Sequence, residues 1–220
     1  MPSPATAPLV CLASASPRRR QLLAQIGVPY VVRVAGVDES TLPDERAADY
    51  VLRMARTKAL AVRALAAALP VLAADTAVVI DETICGKPVD ETAAVALLQR
   101  LSGRSHHVLT AVALASAAGI ACRLSSSEVR FRRLSLAECV AYWRSGEPRD
   151  KAGGYAVQGF GAVFIEHLSG SYSGVMGLPL FETAQLLSDA GVAYWQRAAS
   201  GVPAPDITTP AAAPPGAGLR

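Results

Sequence analysis

Asp75 stands in the run Val71-Leu-Ala-Ala-Asp-Thr-Ala-Val-Val-Ile80, where every neighbour but Thr76 belongs in a core. Burying an unpaired carboxylate costs several kcal/mol, so Asp75 must meet a cation or a metal, or face a cleft from a strand end. A carboxylate so placed points to a functional site; a purely structural one would cap a helix or close a turn. Lys58 is the basic counterpart. It falls on the apolar stripe of Val51, Met54, Ala55, Val62 and Leu65, four residues after Met54 and four before Val62, whereas Arg53, Arg56 and Arg63 lie largely off it. An inward lysine either snorkels to a rim or meets buried negative charge.

A third constellation is Cys11-Leu-Ala-Ser-Ala-Ser-Pro-Arg-Arg-Arg-Gln-Leu-Leu23, which reads as strand, small-residue turn and helix. Ser16 suits the N-cap and Pro17 the first helical position. Arg18, Arg19 and Arg20 then sit where the helix dipole is already positive, an arrangement that an anion turns favourable. Free backbone amides, serine hydroxyls and guanidinium forks together suit a phosphate. Gly86-Lys87-Pro88 adds a glycine and a mobile point charge at a strand end. Asp38-Glu39, ordinary surface acid by itself, would with Asp75 hold a divalent cation through oxygen ligands.

Two loops are candidates for the rest of a ligand. Ser145 to Gly161 carries five glycines and mixed charge, and loops of that length inside compact domains are usually functional. Its Gln158 has an amide that both donates and accepts, which suits a nucleobase edge. Ser169 to Gly174 offers hydroxyls and an aromatic face. Neither G-x-x-x-x-G-K-[ST] nor G-x-G-x-x-G occurs in the chain. These residues point to phosphoryl chemistry supported by a divalent ion, without saying which phosphate bond breaks.

The elements that position them alternate in period. Strands are predicted at Leu9–Ala13, Tyr30–Val34, Val71–Ile80, Val108–Ala115, Ala121–Arg132 and Ala162–Glu166. Helices are predicted at Arg18–Ile26, Ala47–Ala68, Asp90–Leu101, after the capping box Ser135-Leu-Ala-Glu138, and at Leu180–Ala190, with a last short one after it. Val108–Ala115 and Ala121–Arg132 form an antiparallel pair about Ala117-Ala-Gly119. The expected fold is α/β, a mixed central sheet flanked by helices. Residues 1–7 read as a flexible lead, 8–198 as the folded domain and 199–220 as a disordered Pro/Ala-rich tail.

Composition narrows the class. The 220 residues, with a mean hydropathy of +0.30 and a net charge of +3, make a core-forming chain whose cations are too few and scattered for nucleic acid. No apolar run approaches the roughly 20 residues of a membrane span, and no positive signal-peptide n-region is present, so the location is read as cytoplasmic. The four cysteines lie far apart and read as reduced, mostly buried thiols. His106-His107 reads as a rim or turn feature opening its strand.

Taken in order, Leu12-Ala-Ser-Ala-Ser-Pro-Arg-Arg19, Ala74-Asp-Thr76, Gly86-Lys-Pro88, Leu101-Ser-Gly103 with His106 and Thr110-Ala-Val112, and Ser145 to Gly159 resemble the Maf family of nucleoside triphosphate pyrophosphatases. So does Gly170-Ser-Tyr-Ser-Gly-Val-Met-Gly-Leu-Pro-Leu180. The resemblance spans roughly Leu9 to Leu187 and implies an ITPase-like fold, a divalent metal (Mg, Mn or Co) and cleavage of a nucleoside triphosphate to monophosphate and pyrophosphate. It implies that Asp75 is the proton acceptor for the attacking water and, with Glu39, a metal residue. It places Ser16, Arg18, Arg19, Lys58 and Lys87 on the phosphate side. Arg18, Thr76 and Gln158 match positions setting base selectivity in the subgroup that prefers dTTP and UTP, and Asp150-Lys-Ala-Gly-Gly-Tyr-Ala-Val-Gln-Gly159 has that subgroup's form. Ala15 stands where the family often has glycine. The expected partner is a nucleoside triphosphate, with neither nucleic acid nor membrane and with a homodimer left open. Removal of modified nucleotides fits the same activity. The alternative is a nucleotide-binding regulator of cell division without essential turnover.

Overall fold

The computed structural model describes residues 7–65 and 68–195. Its frame is a seven-stranded mixed sheet. β1 (Val10–Leu12) lies between β2 (Tyr30–Val32) and β3 (Val71–Ile80), parallel to both. β5 (Ser105–Ser116) runs antiparallel along β3, β6 (Gly119–Phe131) along β5, and β7 (Ile165–Ser169) along β6. β4 (Thr83–Cys85) folds back on the end of β3.

The sheet is split at one place. One edge of β3 is covered by β5 from Val71 to Val79. The other edge pairs with β1 only at Val71 and Leu72, and with β4 only at Val78 to Ile80. Between those two contacts the backbone carrying Asp75 and Thr76 has no strand beside it. An α/β sheet opens for ligands where adjacent strands diverge, and here the opening falls on the polar dipeptide of the strand.

Side chains of a strand alternate between faces, and helices cover both. α2 (Ala47–Leu65) lays Val51, Ala55, Ala59 and Val62 on the face carrying Val71, Ala73, Ala77 and Val79. The other face takes α1 (Pro17–Gln25) and α6 (Leu180–Asp189) over Leu72 and Ala74. It also takes α3 (Glu91–Leu101) and α4 (Leu136–Arg144) near Val78 and Ile80. Asp75 therefore belongs to the α2 face and Thr76 to the α1 face. The helix starts follow the sequence signals. Ser16, Asp90 and Ser135 each accept the expected backbone amide, and Ser135 with Glu138 completes the capping box.

Four expectations are corrected. The last strand lies at Ile165–Ser169, because Phe160–Phe164 forms a 3-10 turn that buries Phe164. Residues 169–174 are not an open loop. Ser171 caps α5 (Tyr172–Met176), and the Ser173 hydroxyl accepts the Leu180 amide, so the hydroxyls are used within the fold. His106 is not a rim residue: it is 1% exposed inside β5, bonded to Tyr155 and edge-on to Phe131. No helix follows α6 among the described residues; Val192 joins the core and the Trp195 amide bonds to Ile26. The end of the predicted second helix at 66–67, residues 1–6 of the lead, and the tail from residue 199 lie outside the described residues. Among the described residues no helix is long and apolar enough to cross a membrane, and all four cysteines are free, with only Cys122 not buried.

Candidate active site

The opening in the sheet forms a cleft of about 830 Å³. All nine sequence-predicted site residues line it: Ser16, Arg18, Arg19, Glu39, Lys58, Asp75, Thr76, Lys87 and Gln158. They come from the α1 start, the loop after β2, α2, β3, the loop after β4, and the loop after α4.

At the floor, Lys58 resolves the burial problem of Asp75. Its Nζ lies 2.6 Å from Asp75 Oδ1 and 2.6 Å from Glu39 Oε1. The lysine and aspartate side chains are only 15% and 11% exposed, so losing either partner would strand the other's charge away from water. Glu39 is half exposed, and its hydrogen bond with Lys58 holds its carboxyl below the usual range against partial burial. Neither Asp75 Oδ2 nor Glu39 Oε2 bonds to another described residue. Tyr50 donates to the Glu39 carbonyl, and burial, reinforced by Asp75 and Glu39, pushes its phenol up to about 12. Asp38 is turned elsewhere, accepting the Ser40 amide and hydroxyl.

One wall is the arginine-headed helix. Arg19 is tied into the fold through Gly177 O at 2.7 Å, Ser14 Oγ at 3.4 Å and Thr76 Oγ1 at 3.3 Å. Thr76 also shares a 3.0 Å bond with Thr110, whose hydroxyl reaches Gly174 O at 2.8 Å. A carbonyl only accepts and a threonine has one proton, so Thr110 donates to Gly174 and Thr76 to Thr110. Thr76 thus orients Arg19 while facing the cleft. Burial pulls the Arg19 guanidinium down, partly offset by Asp75 and worsened by Arg18. The Arg18 guanidinium bonds to no other described residue and is likewise pulled down by burial, with Glu147 opposing. Two crowded guanidiniums at a helix N-terminus, one held and one free, favour an anion.

On the opposite rim Lys87 is exposed. Gly86 has open space where a Cβ would stand, and its carbonyl takes the Gly153 amide. Gln158 is exposed, and its amide makes no hydrogen bond within the described residues.

Sequence reasoning named the loop from Ser145 to Gly161 but did not single out its Arg149, Lys151 and Tyr155 in the lining or its Glu147 behind it, and it missed Tyr50 in the lining and Tyr142 behind it. The signal for Glu147 was its place beside five glycines; an acid in a glycine-rich loop is well suited to collect backbone amides.

These features fit one family. A family model described as Maf-like protein matches residues 9–190. The chain belongs to the Maf family. Among curated relatives, the dTTP/UTP pyrophosphatase of Saccharophagus degradans is 53% identical over 192 residues, 86% of this chain and 91% of that protein. The dTTP/UTP pyrophosphatase of Methylobacillus flagellatus is 54% identical over 186 residues, covering 84% and 94%. Solved structures align more loosely: a HAM1 protein from Coxiella burnetii covers 58% of this chain and 75% of its own at 17% identity and a TM-score of 0.41. The residues lining the cleft lie within the span that the Maf model matches.

Proposed function

We propose that this Maf protein hydrolyses nucleoside triphosphates, dTTP and UTP preferred, to the monophosphate and pyrophosphate. The observation that carries the reading is the single ammonium of Lys58 joining Asp75 and Glu39 at 2.6 Å each, on the floor of a cleft walled by Arg18 and Arg19. The named activity of relatives at about half identity supports the same substrates. Nucleotide pools make the cytoplasm its place of work.

In this reading the triphosphate lies along Arg18, Arg19, Ser16 and the α1 amides, with Lys87 on the far rim, so that charge on the departing pyrophosphate is met by fixed cations. Water attacks the α-phosphorus, its proton passes to Asp75, and the α–β anhydride bond breaks. Lys58 orients the accepting carboxylate. Glu39 and Asp75 are also the residues that would hold a divalent cation (Mg, Mn or Co). Each keeps one oxygen free of protein bonds, and a small hard cation needs only one or two carboxylates when phosphate supplies further oxygens. Among the described residues no group of three or more His, Cys, Asp or Glu gathers into a cage, which suits a cation that arrives with its substrate. Bound there, it supplies positive charge to the phosphoryl oxygens.

Release of pyrophosphate across a nucleotide panel tests the substrates, and Asp75→Asn tests the chemistry. The variant is expected to lose about 10²–10⁴-fold in kcat while still binding UTP in calorimetry. Turnover near wild type would remove Asp75 from the reaction. Binding of nucleotide by the wild-type protein with no pyrophosphate from any triphosphate would favour a regulator instead.

A further inference from the structure

The loop that presents Gln158 is held by one carboxylate. Glu147 Oε1 accepts the Tyr142 hydroxyl at 2.7 Å and the Gly161 amide at 2.9 Å, and Oε2 accepts the Phe160 amide at 2.9 Å. The Tyr142 hydroxyl in turn accepts the Ala156 amide at 3.1 Å. Two amides after Gln158 and one before it are thus gathered, through three bonds and one relay, onto a single acid. Partial burial pushes the Glu147 carboxyl up, but these donors outweigh it and leave it below its usual range. Donors aimed at a carboxylate favour its charged form.

The sequence around the acid is shaped to it. A Cβ on Gly159 would stand 2.1 Å from Glu147 Oε2, and one on Gly161 2.7 Å from the Tyr142 hydroxyl and 2.9 Å from the Ala156 carbonyl. Neither glycine has a positive φ that would by itself call for glycine, so each is small because the carboxylate and its phenol occupy the space. Tyr142 is buried and packs edge-on against Phe164 at 4.9 Å. The acid is therefore anchored to α4 through a buried side chain. Arg18, across the cleft, feels the same negative charge.

We infer that Glu147 is a positioning residue for base selection: through Tyr142 and the Phe160 and Gly161 amides it fixes the Ala156–Gly161 segment so that the unbonded Gln158 amide is presented to the base. This rests on the proposed reading of the cleft as a pyrimidine triphosphate site. Without the acid the segment keeps its sequence but gains freedom, and the cost falls on binding and discrimination more than on the chemical step.

The test compares steady-state kinetics with UTP and CTP for wild type, Glu147→Ala, Tyr142→Phe, Gln158→Ala and Glu147→Ala/Gln158→Ala. Glu147→Ala is expected to raise KM for UTP about tenfold with a smaller fall in kcat, and to lower the UTP/CTP ratio of kcat/KM toward that of Gln158→Ala. The double variant should fall no further, since both changes disable one presenting group. Tyr142→Phe, which keeps the buried ring, should move KM in the same direction by about threefold, and it decides the matter if Glu147→Ala does not fold. A Glu147→Ala protein, or failing that Tyr142→Phe, with wild-type KM and UTP/CTP ratio beside a collapsed ratio in Gln158→Ala would overturn the inference and leave base reading by Gln158 standing. An unchanged ratio in Gln158→Ala would remove Gln158 as the reader and overturn the inference whatever the KM of Glu147→Ala, while leaving turnover of the triphosphate, and with it the proposed activity, untouched.

Discussion

Lys58 carries more of the site than any other single side chain. A lysine near the middle of a 19-residue helix would ordinarily snorkel to solvent, yet here it lies beneath the cleft because two acids converge on it. Removing it leaves Asp75 on a buried strand without its cation, and breaking one partner of a buried pair typically costs about 3–5 kcal/mol. Lys58→Met is therefore expected to lower Tm by several degrees. Lys58→Met/Asp75→Asn should be less destabilised than the sum of the two single changes, because the stranded charge is gone. A thermal double-mutant cycle checks this, and strict additivity would show that the 2.6 Å contact contributes nothing to stability.

At the scale of elements, β5 holds a pH-sensitive group that plays no part in the cleft chemistry. His106 is buried, bonded through Nε2 to the Tyr155 hydroxyl at 2.9 Å, with Nδ1 bonded to nothing among the described residues. Burial, reinforced by His107, pulls its pKa from 6.5 to about 4. The folded state thus prefers the neutral ring, and the unfolded chain binds the proton first as pH falls. Its contribution is complete above about pH 6.5 and is lost progressively toward pH 4, by about 2 kcal/mol between pH 7 and pH 5. Chemical denaturation at both pH values should show wild type losing more stability than His106→Asn by about that amount. Equal losses would mean that His106 titrates alike in both states. Because Tyr155 also lines the cleft, the same variant is expected to loosen that wall and raise KM for UTP modestly.

For the whole molecule, the clustered charge of Arg18 and Arg19 makes stability depend on ligand. Burial disfavours both guanidiniums and Arg18 adds repulsion on Arg19, and a polyphosphate relieves that. Saturating triphosphate with a divalent ion stabilises by about 2.7 kcal/mol at a hundred times Kd, or about 5–10 °C for a domain of this size. In the inactive Asp75→Asn protein UTP with Mg should raise Tm by that much, and adding Arg18→Ala should remove most of the rise. An undiminished shift in Asp75→Asn/Arg18→Ala would place the triphosphate elsewhere.

The sequence by itself determined the residues that differ from their surroundings. Asp75 in an apolar strand, Lys58 on an apolar helix stripe and arginines behind a Ser-Pro start are local conflicts, and their local form demands a partner whatever the fold. The helix starts were equally legible, because a capping serine and its amide lie three residues apart. The tertiary structure alone decided who answers whom. That β1 and β4 share one edge of β3 and leave Asp75 and Thr76 beside an opening depends on pairings far apart in sequence. His106 read as a rim residue because polar pairs usually open strands; its burial follows from Tyr155, 49 residues away. Glu147 was unremarkable in a charged loop until Tyr142 and the folded-back amides of Phe160 and Gly161 were placed around it. Composition and period fix what a residue needs; only the packed chain brings the distant group that supplies it.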